Sequence, residues 1–532
     1  MSMRDGTAGT ILALLTVSCT QEAAPNPPGP EPSGLSYHAC SPLQFTPGDH
    51  YEQADISGND NAYESHRANP GPGVALADFD GDGWLDVVLA DTELHTTILL
   101  NDRTGHLEVA NPRLDTGESL PLAGGVAVAD LDGDGFLDIV MSRIIDNDDV
   151  VLYGKGNLEF SMVSLPDSEG GSKTVSIADV DGDTDLDLFI SGFTDFVGPK
   201  ADAGKLVGDG NRLYIQQDGS FVNETETRLP ESIVGTLTYE GAWVDIDGDL
   251  DLDLYLVNDW GAVAGGNALL LNDGSGHFTL AQDCFCDLVI LGMGAAIGDA
   301  NGDAIPDMFL TDYGFNHLLV GLDDGSWVVA TEAYGAVPVD DPGAPERGPS
   351  WGTVFVDANQ DGWEDIAVAY GKGRDEDDVV QRDLLLINGG DGTFTDKSRT
   401  VGFADEDRGR AVAVGDLDRD GRPDLISTGE FFLKTWLAEG GCPPGVTLAL
   451  DGPDHNRAGF GATVEVELED RTYWRWMSPS ATWSQSALEL YLGLGGASRA
   501  ERITVHWHDG TSTDYEGARA GTRRTIRWVD GQ

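Results

Sequence analysis

The stretch DLDGDGFLD, Asp130–Asp138, sets four aspartates into nine residues. Two unit charges about 4 Å apart repel by about 4 kcal/mol at an effective dielectric near 20, so such a loop needs a cation. The motif recurs seven times, with start-to-start spacings of 52, 49, 66, 54, 58 and 59 residues. Asp or Asn stands at positions 1, 3, 5 and 9 of every copy. The candidate ligands are Asp78, Asp80, Asp82 and Asp86; Asp130, Asp132, Asp134 and Asp138; Asp179, Asp181, Asp183 and Asp187; and Asp245, Asp247, Asp249 and Asp253. The series continues with Asp299, Asn301, Asp303 and Asp307; Asp357, Asn359, Asp361 and Asp365; and Asp416, Asp418, Asp420 and Asp424. Apolar runs such as GVAVA and IVMS flank each loop, and in most copies a third run leads to a tight turn and an aromatic, as in LLLNDGSGHF. Short β-branched runs bounded by Gly, Asn and Asp are strand and hairpin signals. A period of roughly 50–60 residues with about four strands predicts radially arranged sheets, an all-β seven-bladed β-propeller.

Side-chain oxygens at positions 1, 3, 5 and 9, with a backbone carbonyl at 7, suit calcium, which takes six to eight oxygens; magnesium keeps more of its water. The expected cofactor is Ca2+, up to seven ions. An EF-hand needs an acidic residue at position 12 and flanking helices. Here position 12 is Leu89, Met141, Ile190, Leu256, Leu310, Val368 and Ser427, and the flanks are strand-like. Thr184, Leu250 and Ala304 stand at position 6 where the other copies have Gly. A left-handed backbone there would cost each roughly 1–2 kcal/mol and weaken those three sites.

Composition narrows the partners. The 532 residues carry 31 Lys+Arg against 92 Asp+Glu, a formal charge of −61. That excludes nucleic acid, which needs a basic face, and direct attraction to an anionic membrane. A hydrophobic content of 40% is too high for a disordered acidic chain. From Val446 onward the net charge is only −3, so a second module with different chemistry begins near there.

Residues 1–18 read as a signal peptide, with one Arg and an apolar run from Ile11 to Val17 too short to span a bilayer. LTVSC resembles a bacterial lipobox, which implies lipidation at Cys19, with Thr16 where that pattern prefers Leu. Residues 19–36 are a Pro-rich tether. The protein is expected to be exported, as an outer-membrane or cell-surface lipoprotein or else secreted, with the membrane touched only through the lipid anchor. The propeller is assigned to 37–441. Its last copy lacks an outer strand, and LQFTPGDHYEQADI, Leu43–Ile56, supplies one. Cys40 and Cys442 then flank the same blade and are expected to form a disulfide. Cys284 and Cys286 are either a local disulfide or a free pair.

The loops, in register over nearly all of 37–441, resemble the FG-GAP/VCBS calcium loops of integrin-type propellers. The segment 442–532 resembles the ASPIC/UnbV domain in HNRAGFGATV (His455–Val464), SQSALELYLGLG (Ser484–Gly495) and ITVHWHDGT (Ile503–Thr511). Together they resemble the cartilage acidic protein family and its bacterial homologues. That resemblance implies a secreted, acidic, calcium-binding protein and no enzymatic activity. Tyr473, Trp474, Trp476 and Trp483 form an aromatic cluster, either core or a sugar-stacking platform, with Trp474 and Trp476 the candidate glycan contacts. His506 and His508 share a strand face without an evident third ligand. There is no H-E-x-x-H or P-loop, and GMGAAIG (Gly292–Gly298) is a strand rather than a nucleotide loop. The expected role is a non-catalytic, monomeric adhesion or protein-interaction module with an extracellular protein or polysaccharide ligand. A lectin-like protein is the alternative, and a glycan-active enzyme a more distant one.

Overall fold

The computed structural model describes residues 40–52, 73–90, 96–110, 112–143, 148–193, 200–202, 205–282, 284, 286–337, 349–371, 381–429, 432–453, 455–478 and 480–529. The signal-peptide, Cys19 and tether assignments, and residues 53–56 of the expected closing strand, lie outside these. No helix among the described residues is long and apolar enough to cross a membrane.

Each repeat forms one sheet of antiparallel strands, to which the second adds a short parallel strand, Arg113–Leu114. In the fourth, the inner strand Thr238–Val244 leads through an aspartate loop into Asp253–Asn258, then Ala268–Asn272 and Phe278–Leu280. The inner strands of the other sheets are Gly73–Ala77, Val126–Ala129, Ser172–Ala178, Gly292–Gly298, Ser350–Val356 and Gly409–Gly415. Each packs beside the next in chain order, and the last packs beside the first. Seven sheets thus form a closed ring. Small and β-branched residues suit these inner strands, which are buried nearly throughout. Outer strands bury little, as in Phe278–Leu280, where Phe278 is buried and the next two residues are exposed. The core lies between blades; Phe189, Leu213 and Ile215 of the third meet Trp243 and Leu254 of the fourth.

The seventh sheet has three strands of its own. Its fourth is Ser41–Glu52, antiparallel to Phe432–Gly441 with Phe45 opposite Ala438. Cys40 and Cys442 are joined where that strand pair begins, and Cys284 is joined to Cys286.

Residues from Val446 form two small sheets. Val446–Asp451 pairs with Glu489–Leu492 and, in parallel, with Thr522–Arg527; the other sheet holds Thr472–Trp476, Thr463–Glu467, Arg502–His506 and Ser512–Glu516. Leu448, Val464, Ile503 and Val505 are its core.

The propeller and this module are not separate beads. Between the two small sheets the chain sends a finger, residues 480–487, into the centre of the ring. Ser484–Gln485 adds in parallel to the inner strand of the first blade, with Val74 opposite Ser484. The side-chain amide of Gln485 exchanges two 2.8 Å hydrogen bonds with the backbone of Val128 in the second blade. Thr482 donates to the Glu240 carboxyl of the fourth blade and meets the Met293 carbonyl of the fifth. The Ala487 N–H donates to Val414 O in the seventh blade at 2.9 Å. Trp483 stacks on Trp351 of the sixth blade, centroids 5.5 Å apart, and meets Tyr239 edge-on at 5.7 Å. It is 1% exposed and holds a left-handed backbone, φ 55°.

The expected aromatic cluster therefore does not exist as one surface. Tyr473 points into the module core, because neighbours on a strand face opposite ways. Trp483 fills the channel, and Trp474 stacks on His506 at 5.1 Å.

Candidate metal centres

All seven aspartate loops have the same backbone scaffold. The position 1 carboxylate accepts the N–H of position 6, as Asp78 does from Gly83 at 2.7 Å and Asp179 from Thr184 at 3.0 Å. The position 5 carboxylate accepts the N–H of position 7, as Asp82 does from Trp84 at 2.9 Å. Position 6 is left-handed in every copy, including Thr184 (φ 77°), Leu250 (77°) and Ala304 (70°). Position 4 is left-handed too, and Gln360 (60°) and Arg419 (58°) occupy it without the freedom of Gly.

Position 9 has a second task. Both oxygens of Asp86 accept backbone N–H groups, from Phe79 within the loop and from Asn101 in the third strand, each at 2.9 Å. Asp138, Asp187, Asp253, Asp307, Asp365 and Asp424 repeat the arrangement. This residue staples loop to blade whatever else it binds. A neighbouring staple links blades. Asn272, which ends the third strand of the fourth blade, donates to Val180 O in the third at 2.8 Å, and Asn101 and Asn388 act alike towards Leu417 O and Ala300 O. The recurring LLLN and LLLIN endings carry that signal.

The carboxylates crowd. Positions 1, 3 and 9 place ligand oxygens within 4.8 Å of one another in the first, second, third, fourth and seventh loops. Burial, opposed by the backbone hydrogen bonds, pushes Asp86, Asp138 and Asp253 up to about 7 and Asp187 to about 8. Neighbouring carboxylates add to the rise. Oδ1 atoms of Asp130, Asp181 and Asp416 are buried without a hydrogen-bond partner. Orphaned, crowded carboxylate oxygens on a preformed turn are what a hard cation requires. The residues fit calcium. The fifth and sixth loops carry one carboxylate fewer, with Asn301 and Asn359 at position 3.

The C-terminal module sits on the face that bears these loops. Arg475, buried, lies 3.4 Å from Glu364 at position 8 of the sixth loop and donates to Gly362 O at 3.0 Å. Arg471 donates to Asp361 O, and the Tyr491 hydroxyl accepts from Asp416 N at 2.8 Å. His455 Nδ1 is 3.6 Å from Asp185 in the third loop. His506 lies 3.5 Å from Glu465 and, with His508 and Trp476, faces the fourth loop at Asp245 and Leu250. Trp476 is half-buried and faces the propeller, whereas Trp474, also half-buried, lies against His506 within the module.

The FG-GAP-like repeat model matches residues 78–141, 245–310 and 357–427, and the ASPIC and UnbV model matches 452–532. The third loop, Asp179–Asp187, falls outside the matched repeats yet has the same scaffold. No curated protein matches the chain in sequence. Among solved structures, a lectin of Agrocybe aegerita that recognises non-reducing terminal N-acetylglucosamine is 15% identical, with TM-score 0.41, over 70% of this chain and 85% of that one. The virginiamycin B lyase of Staphylococcus aureus is 10% identical, TM-score 0.41, over 74% and 99%. An exotype rhamnogalacturonan lyase is 13% identical, TM-score 0.39, over 74% and 75%. Similarity at this level decides nothing about ligand or activity. The repeats, the closed ring of sheets and the matched C-terminal segment identify the chain as an FG-GAP-repeat β-propeller protein with a C-terminal ASPIC/UnbV domain.

Proposed function

We propose that this protein is an exported, calcium-stabilised β-propeller that acts at the cell surface as a non-catalytic adhesion or interaction module. The observation that carries the reading is the sevenfold loop scaffold, which in five loops crowds carboxylate oxygens within 4.8 Å and in three of those leaves a buried oxygen without a partner. Two disulfides, Cys40–Cys442 and Cys284–Cys286, favour an oxidising compartment, and the lipobox-like LTVSC favours anchoring through Cys19.

Calcium here holds blades and module together. Position 9 joins the loop to the third strand, and the module docks on the third, fourth, sixth and seventh loops, so an ion in one of those would act on three elements. At about 1 mM calcium and dissociation constants of roughly 0.1–1 mM, each site contributes about 0.4–1.4 kcal/mol. Seven sites sum to about 3–10 kcal/mol, comparable with the whole stability of a typical domain, about 5–15 kcal/mol. The test is thermal unfolding of the protein in calcium and in excess chelator, with isothermal titration counting ions. A fall of several degrees in chelator and a stoichiometry of several ions are expected. Coincident melts in the two buffers would overturn the reading.

The polysaccharide-binding alternative keeps one specific support. Trp474 is half-buried, flat against His506, and flanked by Glu465, an arrangement that suits a sugar ring. Loss of glycan-array binding in Trp474→Ala would favour it, and unchanged binding would remove it.

A further inference from the structure

The face of the ring away from the aspartate loops carries exposed aromatic side chains over the fourth and fifth blades. The strand Asp253–Asn258 leaves the fourth loop and ends on that face, and Asp307–Asp312 does the same in the fifth blade. Trp260 follows the first and opens the short helix Gly261–Ala264; Tyr313 and Phe315 follow the second. The segment 289–291 lies between them: the Gly261 N–H donates to Ile290 O at 2.9 Å and the Tyr313 N–H to Leu291 O at 3.1 Å. Trp260, Val263, Val289, Tyr313 and Phe315 are all exposed. Trp260 alone of the 12 tryptophans is exposed, at 41%. It also holds a left-handed backbone, φ 56°, a conformation costly to a bulky residue. Burial returns little for that strain, and strain of this kind collects where ligands are held.

Charge says what these rings attract. Asp259 precedes Trp260, Asp312 precedes Tyr313 and accepts the Leu291 N–H at 3.1 Å, and Asp287 stands two residues before Val289. Asp259 is buried and His317 lies 3.6 Å from Asp312, while Asp287 is exposed to a partner. The net charge of −61 adds a long-range field that draws cations and resists anions. Rings beside carboxylates suit a cation with a flat face. A guanidinium stacks on an aromatic ring while pairing with a carboxylate, which a compact, strongly hydrated ammonium does less well. The opposite face is taken by the module, and Cys40 and Cys442 lie on that side, where the Cys442 N–H donates to Asn359 O at 2.7 Å. A partner docked over Trp260 meets neither.

We propose that this surface docks a basic, arginine-bearing segment of a partner protein. Its guanidinium groups stack on Trp260 and Phe315 and pair with Asp287 at the border, and its aliphatic stems cover Val263 and Val289. The inference rests on the interaction-module reading and names a surface and a partner chemistry for it. It does not depend on which loops hold calcium.

The experiment is fluorescence anisotropy of labelled peptides in which glycine alternates with arginine, lysine or serine, titrated with the whole protein in about 1 mM calcium so that the loops are filled. The variants are Trp260→Ala, Phe315→Ala, their combination and Asp287→Asn, with Phe136→Ala on the second aspartate loop as control. All four side chains are exposed, so their substitution leaves folding intact. The arginine peptide is expected to bind, the lysine peptide to bind several-fold more weakly, and the serine peptide not to bind. Trp260→Ala and Phe315→Ala should each weaken the arginine peptide about two- to fivefold, and their combination about tenfold. Asp287→Asn should weaken it and flatten its salt dependence, and Phe136→Ala should change nothing. Binding that the double variant leaves intact, or that Phe136→Ala weakens equally, is general attraction to an acidic chain; it overturns this surface and leaves an interaction module standing. No arginine-peptide binding overturns the proposal outright, and a neutral glycan whose capture is lost in Trp260→Ala would then give the surface to a sugar. Melts that coincide in calcium and chelator overturn the calcium reading alone.

Discussion

Trp483→Ala tests whether the finger in the ring is structural. The indole is 1% exposed, stacked on Trp351 and edge-on to Tyr239. Truncating a buried Trp to Ala costs about 3–5 kcal/mol, through lost transfer energy and the cavity left behind. An offset follows from Nε1, which is buried without a hydrogen-bond partner; removing an unsatisfied donor returns about 1 kcal/mol. The left-handed backbone, φ 55°, is the same strain for Ala as for Trp and cancels. The net expectation is a loss of about 2–4 kcal/mol. At an unfolding entropy of roughly 2.1 cal/mol/K per residue, a chain of 532 residues loses roughly 1 kcal/mol per degree near its midpoint. Differential scanning calorimetry in calcium should therefore show a midpoint lower by about 2–4 °C. Trp483→Gly relieves the left-handed strain, roughly 1 kcal/mol, and should be no worse than Ala. A Trp483→Ala melt within half a degree of wild type would refute the view that the channel is held by this side chain.

Four further outcomes are expected. In chelator, the urea midpoint should rise as pH falls from 7 towards 5, because Asp86, Asp138 and Asp253 sit near 7 in the fold, against about 3.9 unfolded, and the folded state then binds more protons; calcium should reverse that slope by holding the same carboxylates ionised. Leu250→Gly should add about 1 kcal/mol in thermal melts and tighten calcium at the fourth loop, since Leu250 is 49% exposed and left-handed. Lys173, 5% exposed with Nζ over the Phe193 and Tyr239 rings and its amine pushed down to about 8 by burial, should be replaceable by Met with a gain of about 1 kcal/mol. That gain is full below pH 8 and shrinks towards pH 10, where the folded wild type sheds its proton before the unfolded chain does; a destabilised Lys173→Met would contradict it. Arg475→Gln strands Glu364 in the interface and should cost about 3–5 kcal/mol by urea denaturation.

What can be read from the residues follows from repetition. The aspartate spacing, the strand runs on both sides and the missing outer strand of the last copy each have six other copies to be compared with. They predict the closed ring and an outer strand at Leu43–Ile56 to complete it, which the structure has as Ser41–Glu52. The need for a left-handed residue at position 6 is visible because four copies have Gly there. The finger has no such help. SATWSQSA occurs once, is short and polar, and its partners lie on inner strands up to 410 residues away in sequence, such as Val74 opposite Ser484. Strand alternation alone separates Tyr473 from Trp474, but nothing local sends Trp483 into the ring. Position 9 reads from the sequence as a ligand only, since its two backbone hydrogen bonds depend on where the third strand ends. Asn101, Asn272 and Asn388 recur in register, yet their acceptors lie on the preceding blade, a distance the spacing cannot express.

The bond between Cys40 and Cys442 also sets how the protein bears force. A pull on the chain ahead of residue 40 arrives at the first residue of the closing strand, whose hydrogen-bonded pairs with Phe432–Gly441 would otherwise break in succession, as a zip opens from its end. The sulfurs lie at that end. Tension crosses them to Cys442 and on to the chain that leads into the C-terminal module, bypassing the strand pair. A pull on the chain ahead of residue 40 is thus carried along a covalent line, and the ring is spared until that bond is reduced.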